Sequence, residues 1–145
     1  MASSWYDEGI QQMTSGGGTT WASDDIRVLL VKSTYTFDAT HQYVTDITPA
    51  TYECDVASYV RKQLASKTKT YDAANTRVKF DAADPVWSAL ESGNTLGGAI
   101  VFKQVTDDTD SPCIAFLDDA SDLVTNGGQV TLQFAANGCA TITVS

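Results

Sequence analysis

The stretch Trp21 to Ile47, WASDDIRVLLVKSTYTFDATHQYVTDI, decides the fold. It opens on a polar turn, Ser23-Asp24-Asp25, and continues as a strand from Ile26 to Lys32. Ile26 to Val31 is apolar nearly throughout. A short apolar run bounded by turn residues reads as a central strand covered on both faces. A Thr/Tyr/Asp/His-rich segment follows and turns apolar again at Ile47. The stretch is architecture rather than chemistry.

Outward from this strand, the chain keeps offering strands. Tyr59 to Leu64 is one candidate. Thr76 to Phe80 alternates, with Val78 and Phe80 inward and Arg77 and Lys79 outward. Ala99 to Val105 is strongly apolar, and Cys113 to Leu117 follows the turn Asp107 to Pro112. Val130, Leu132 and Phe134 alternate with polar residues, and so do Ala140, Ile142 and Val144; alternation of this kind buries one face. Asn126-Gly127-Gly128 is a turn, and Asn137-Gly138 is a hairpin signal between the last two strands. Thr and Val are plentiful while Leu and Glu are few, which favours pleated surfaces over helices. About eight short strands without a long amphipathic helix imply an all-β sandwich or jelly-roll-like domain.

One helix is expected, over Ser3 to Met13. Ser3 or Ser4 would cap it, Asp7 and Glu8 would sit in its first turn, and Tyr6, Ile10 and Met13 would share a face. The Gly-rich turn from Ser15 to Thr20 ends it. The expected organisation is therefore residues 1–20 as helix and turn, and 21–145 as a single β-sandwich domain.

The 145 residues suffice for one domain with a real core. Eighteen acidic residues against nine basic ones give a net charge of −9. This excludes a nucleic-acid binder, which needs cations to displace counterions from phosphates. The charge is uneven. Arg61, Lys62, Lys67, Lys69, Arg77 and Lys79 cluster, and after Lys103 only acidic residues follow. Such segregation implies a basic patch and an acidic patch that can meet in an assembly. The chain has no apolar run long enough for a membrane span, and MASSWYDEGIQQM does not read as a secretory signal. Cys54, Cys113 and Cys139 are odd in number and lack CxxC spacing, which reads as buried thiols made in a reducing cytoplasm.

Chemistry is sparse. His41 is the single histidine, in a polar Asp-Ala-Thr-His context that suits a hydrogen-bonding turn better than a catalytic triad. The cysteines and His41 supply no transition-metal motif. Asp107-Asp108-Thr109-Asp110 lacks the alternating ligands, glycine and closing Glu of a calcium loop and reads as a solvated acidic loop, as do Asp118-Asp119 and Asp122. Nothing selects a pair of carboxylates for glycoside hydrolysis. Trp5, Trp21 and Trp87 are too widely spaced to announce a sugar platform. The expectation is a protein that is not an enzyme and uses neither cofactor nor metal.

The chain resembles small β-rich virion structural proteins of tailed bacteriophages. The resemblance rests on Trp5-Tyr6, on Trp21 to Asp25, and on the strand Ile26-Arg27-Val28-Leu29-Leu30-Val31. It continues through Thr40 to Ile47, Phe80-Asp81-Ala82-Ala83-Asp84, Pro112 to Phe116 and Asn126-Gly127-Gly128. It implies a particle component. The leading expectation is a capsid decoration (cement) protein on the outside of the mature shell, made in the host cytoplasm. Its partner would be the major capsid protein, and its copies would form a dimer or trimer on a symmetry axis. Candidate capsid or intersubunit contacts are Trp5, Tyr6, Ile10 and Met13 on the helix and Arg61, Lys62, Lys67 and Lys69 on the basic segment. The alternatives are a neck or tail adaptor or fibre-attachment protein, and a carbohydrate-binding β-sandwich.

Overall fold

The computed structural model describes residues 2–143. In chain order the elements are β1 (Ala2–Trp5), α1 (Asp7–Thr14), β2 (Ile26–Lys32), a 3-10 turn (Val44–Ile47) and α2 (Pro49–Tyr52). Then come β3 (Lys62–Gln63), β4 (Thr68–Asp72), a 3-10 turn (Ala73–Asn75), β5 (Arg77–Asp81) and β6 (Val86–Trp87). β7 (Thr95–Lys103), β8 (Cys113–Val124), β9 (Val130–Thr131) and β10 (Ala140–Thr143) complete the chain. They form a five-stranded sheet in the order β1-β8-β7-β2-β3, a three-stranded sheet β10-β5-β4 and a ribbon β6-β9. Every pairing is antiparallel. The protein is an all-β sandwich.

The expected double coverage of Ile26 to Val31 is what the structure contains. Ile26, Val28 and Leu30 point to one side, into a core with Trp21, Leu96, Ala99, Val101 and Leu117. Phe80 and Ala140 of the three-stranded sheet and Trp87 of the ribbon close that core from above. Leu29 and Val31 point to the other side and meet Tyr6, Tyr35, Val44, Ile47, Ile100 and Phe102. That second layer is built from the Thr/Tyr/Asp/His-rich segment. Each buried aliphatic side chain of β2 contributes roughly 1.5–3 kcal/mol of transfer free energy, so sealing both faces anchors this strand firmly.

The N-terminus differs from expectation. Ala2 to Trp5 is a strand, paired from Ala2↔Asp118 to Trp5↔Ala115, so Ser3 and Ser4 are ladder residues rather than helix caps. The helix starts at Asp7 with Tyr6 at the N-cap and no side-chain cap; Asp7 and Glu8 do occupy its first turn. Because β1 belongs to the main sheet, residues 1–20 are not set apart from the sandwich. The face α1 turns inward is centred on Gly9, which is buried. A Cβ there would overlap the backbone carbonyl of Ile114. Ile10 is 45% exposed and does not share that face.

Other strands shift for local reasons. Tyr59 to Leu64 contributes only Lys62–Gln63 to the ladder; on either side of them the Trp87 indole donates to Val60 O at 2.7 Å and Leu64 N donates to Ile26 O at 2.8 Å. Thr76 to Phe80 is close to β5, with Phe80 buried as expected. β4, a partner of β5, has only Tyr71 as a large apolar residue and carries no alternation to read. β8 runs on to Val124, with Asp119 to Asp122 bulging opposite Gly97 between the pairs Gly98↔Asp118 and Leu96↔Leu123. Asn137-Gly138 forms a turn, with Gly138 N donating to Ala135 O at 2.8 Å. It does not make a hairpin of the last two strands: β9 pairs with β6, and β10 pairs with β5. Val144 lies outside the described residues.

Substituting Gly9→Ala forces α1 off β8 and lowers stability by about 1–3 kcal/mol. Gly16→Ala, where a Cβ meets open space, changes it by less than about 0.5 kcal/mol. Thermal unfolding followed by circular dichroism distinguishes the pair, and equal melting temperatures would refute the close approach.

Candidate functional site

The segment that seals the second layer also builds a concavity. A pocket of about 590 Å³ is lined by Tyr35, Phe37, Asp38, His41, Asp46 and Tyr52, with Thr36, Ala39, Ile47 and Thr48 completing its wall. Its shape follows from two local turns. Asp38 accepts hydrogen bonds through Oδ1 from Thr40 N (2.9 Å) and Thr40 Oγ1 (2.7 Å), which folds the chain back and brings His41 toward Tyr35. Asp46 accepts through Oδ2 from Gln42 N (3.0 Å) and Tyr43 N (2.9 Å), which starts the 3-10 turn. Val44 and Ile47 then point into the core. Thr48 adopts φ 57°, a left-handed conformation uncommon for a non-glycine residue, and links the turn to α2.

A line of hydrogen-bonding groups runs from this pocket into the core. His41 Nδ1 lies 3.3 Å from the Tyr35 hydroxyl, which lies 2.8 Å from the Tyr6 hydroxyl. Burial and the Tyr35 hydroxyl push the Tyr6 phenol far above its usual range. His41 is thus the hydrogen-bonding turn residue its sequence context suggested. Cys113 packs in the same layer as Tyr35, and burial holds its thiol protonated well above the usual thiol range. All three cysteines are free and buried.

Tyr6 is fully buried, so it is not a contact residue for another chain. Trp5 is half-buried, packs edge-to-face on Phe80 with centroids 5.5 Å apart, and donates Nε1–H to Thr141 O at 2.8 Å. It therefore ties β1 to β10 and serves internal packing first. Met13 is half-buried against the core, while Ile10 stays exposed. Of the aromatic pair, Tyr6 is spent inside the fold and Trp5 keeps part of its surface exposed.

The basic segment is likewise divided. Arg61 is clamped between two carboxylates. Its Nη2 lies 2.7 Å from Glu53 Oε2 and its Nη1 lies 2.6 Å from Asp108 Oδ1, and its guanidinium sits 5.4 Å from the Phe102 ring centroid. The Tyr59 hydroxyl donates to the same Glu53 at 2.8 Å. Lys67 donates to Asp24 O at 2.6 Å. Arg77 pairs with Asp72 at 2.9 Å. Lys62 and Lys69 form no ion pair among the described residues and remain available. The loop Asp107 to Asp110 is ordered rather than merely solvated. Asp110 Oδ1 accepts from Thr106 N and Asp107 N, and Asp107 Oδ1 accepts from Thr109 N and Oγ1.

Sequence reasoning missed the pocket and found only its raw material. The density of Tyr, Asp and His in the segment was visible. That two Asp-capped turns would fold it into a concavity was not, because the turns depend on which oxygen meets which amide.

Arg61→Met leaves Glu53, whose side chain is 11% exposed, without its cation. The loss is about 2–3 kcal/mol, below that of a fully buried pair because solvent reaches the cluster. Urea unfolding checks it, and Glu53→Gln in the Arg61→Met background recovers part of the loss. A second outcome concerns acid. Asp24, Asp55 and Asp110 have carboxyls held below the usual range, chiefly by the Thr20 amide, the Lys32 ammonium and the Asp107 amide respectively. Their folded values lie below the unfolded ones. The stability they supply is complete above about pH 4 and is lost as pH falls through the lowered values. The melting temperature, measured from pH 7 to pH 2.5, is expected to be unaffected by these groups down to about pH 4 and then to drop.

No protein-family model matches the chain, and no curated protein or solved structure shows significant similarity to it.

Proposed function

We propose that this chain is a structural component of a tailed-phage particle, a decoration protein that binds the outside of the mature shell across capsomer junctions. The resemblance in Trp21 to Ile47 and in the later turns motivates the reading. One structural observation carries it: the outer strand of the three-stranded sheet. Thr68, Lys69, Thr70 and Tyr71 are all exposed, and Tyr71 is 64% exposed.

Register sets what that edge offers a partner. Tyr71 lies opposite Val78, which lies opposite Ile142, so the three side chains form a row across one face of the sheet. The neighbouring row, Lys69–Phe80–Ala140, is closed at Phe80 by Trp5 and Trp21. Val78 and Ile142 are only half-buried, and Tyr71 stands clear. An exposed tyrosine beside a lysine that has no ion-pair partner among the described residues combines an aromatic anchor with a charge that selects an acidic partner. The major capsid protein is the proposed partner, with copies of this chain related by the shell's symmetry.

The test is quantitative mass spectrometry of purified particles, joined to a rebinding assay on shells stripped of this chain. A ratio near one copy per major shell subunit, or a fixed simple fraction, supports decoration. A handful of copies per particle moves the protein to the neck or tail. Absence from particles removes the structural reading. Tyr71→Ala and Lys69→Glu are each expected to weaken rebinding by about five- to thirtyfold, and unchanged rebinding of both would remove this edge from the contact.

A further inference from the structure

We propose that the pocket over Tyr35 binds an organic cation: the ammonium or guanidinium group of a lysine or arginine side chain presented by a partner protein. The inference does not depend on the shell-docking reading, which uses a different face. It rests on the inventory of the pocket wall. Asp38 and Asp46 both line it, and no lysine or arginine does. Each carboxylate is already oriented by hydrogen bonds at one oxygen, Oδ1 in Asp38 and Oδ2 in Asp46. The other oxygen of each accepts nothing from the described residues. Two carboxylates are therefore fixed in direction with an acceptor to spare, so the ordering needed to receive a donor is largely done before binding.

The remaining wall suits the same guest. Tyr35, Phe37 and Tyr52 supply aromatic rings, whose faces attract cations. Their positions are set by neighbours: Phe37 stacks on Phe116 with centroids 5.5 Å apart, and Tyr52 meets Tyr35 edge-to-face at 5.8 Å. A neutral sugar is a poorer match. Its hydroxyls carry no charge to meet the two carboxylates, so it forgoes the charge-assisted bonds that a cation gains. An anion meets two carboxylates and no cation. The volume, about 590 Å³, accommodates a side-chain head group with several carbons of its stem. Charge-assisted hydrogen bonds from a guanidinium to a carboxylate are stronger than neutral ones.

The experiment titrates the intact protein with acetyl-arginine amide, acetyl-lysine amide, spermidine and a neutral trisaccharide, followed by amide NMR shifts at Thr40, His41 and Thr48. Saturable shifts with the amino-acid amides, reduced about tenfold or more in Asp38→Asn, support the proposal. Tyr52→Leu, which leaves both carboxylate turns intact, is a second variant expected to weaken binding by roughly three- to tenfold through the lost ring. Tight binding of spermidine with none of the amides keeps the cation and overturns the side-chain source. Binding of the trisaccharide alone, or equal binding by wild type and both variants, overturns the cation site, as does the lack of saturable shifts with every probe at concentrations up to about 10 mM, the weak limit of a specific small-ligand site.

Discussion

Everything in this fold hangs on the two-sided burial of one strand. β2 has no solvent face, so both of its surfaces must be supplied with cover from elsewhere in the chain. On one side the cover is a second layer of strands brought over Val28 and Leu30. On the other it is irregular chain, the segment between β2 and α2, laid over Leu29 and Val31. The second solution is the unusual one. Irregular chain carries unpaired backbone groups, and each must find a partner when it covers a core. Here Asp38 and Asp46 do part of that work, and the rest is shared with the loop before β8, where Val44 N reaches Ser111 O and Thr45 N reaches Asp108 O.

What could be read from the sequence follows from this division. Ile26 to Val31 was legible because hydrophobicity alone specifies a strand buried on both faces. β5 was legible because Val78 and Phe80 alternate with cations. β4 was not, because an exposed edge strand is held by its neighbour's backbone and needs no apolar pattern of its own. The start of the chain misled for a similar reason. Ser3 and Ser4 before Asp7 and Glu8 make a good helix-start signal, but Trp5 and Tyr6 gain more by entering the two cores than a longer helix would by being capped. The pocket was illegible because turn geometry, rather than residue type, sets the direction of its carboxylates.

The distribution of charge has the same logic. A net charge of −9 suggests a uniformly acidic surface, yet among the described residues six close cation–carboxylate pairs tie specific segments together. Lys103 and Lys67 converge on Asp24, holding the turn that opens β2. Lys32 and Asn94 converge on Asp55, at the opposite end of the same strand. Ion pairs this exposed add little stability one by one; their placement at both ends of β2 fixes where the strand begins and stops. Lys62, Lys69 and the carboxylates along Asp118 to Asp122 form no ion pair among the described residues and leave charge to act outward.

The pairing of β1 with β8 sets an order of events during synthesis. Ala2 to Trp5 leave the ribosome well before their partners, Ala115 to Asp118. For most of translation the N-terminal strand has no ladder to join, and Tyr6 has no Phe102 or Phe116 to pack on. Long sequence separations of this kind slow folding, since chain entropy is surrendered before the contact is won. Residues made early are therefore among the last placed, and the nascent chain must keep an apolar tryptophan and tyrosine solvated until β8, the last strand of the five-stranded sheet to be made, is complete. A truncated product ending before β8 would leave that pair exposed, which makes prematurely terminated chains sticky in a way that the finished molecule is not.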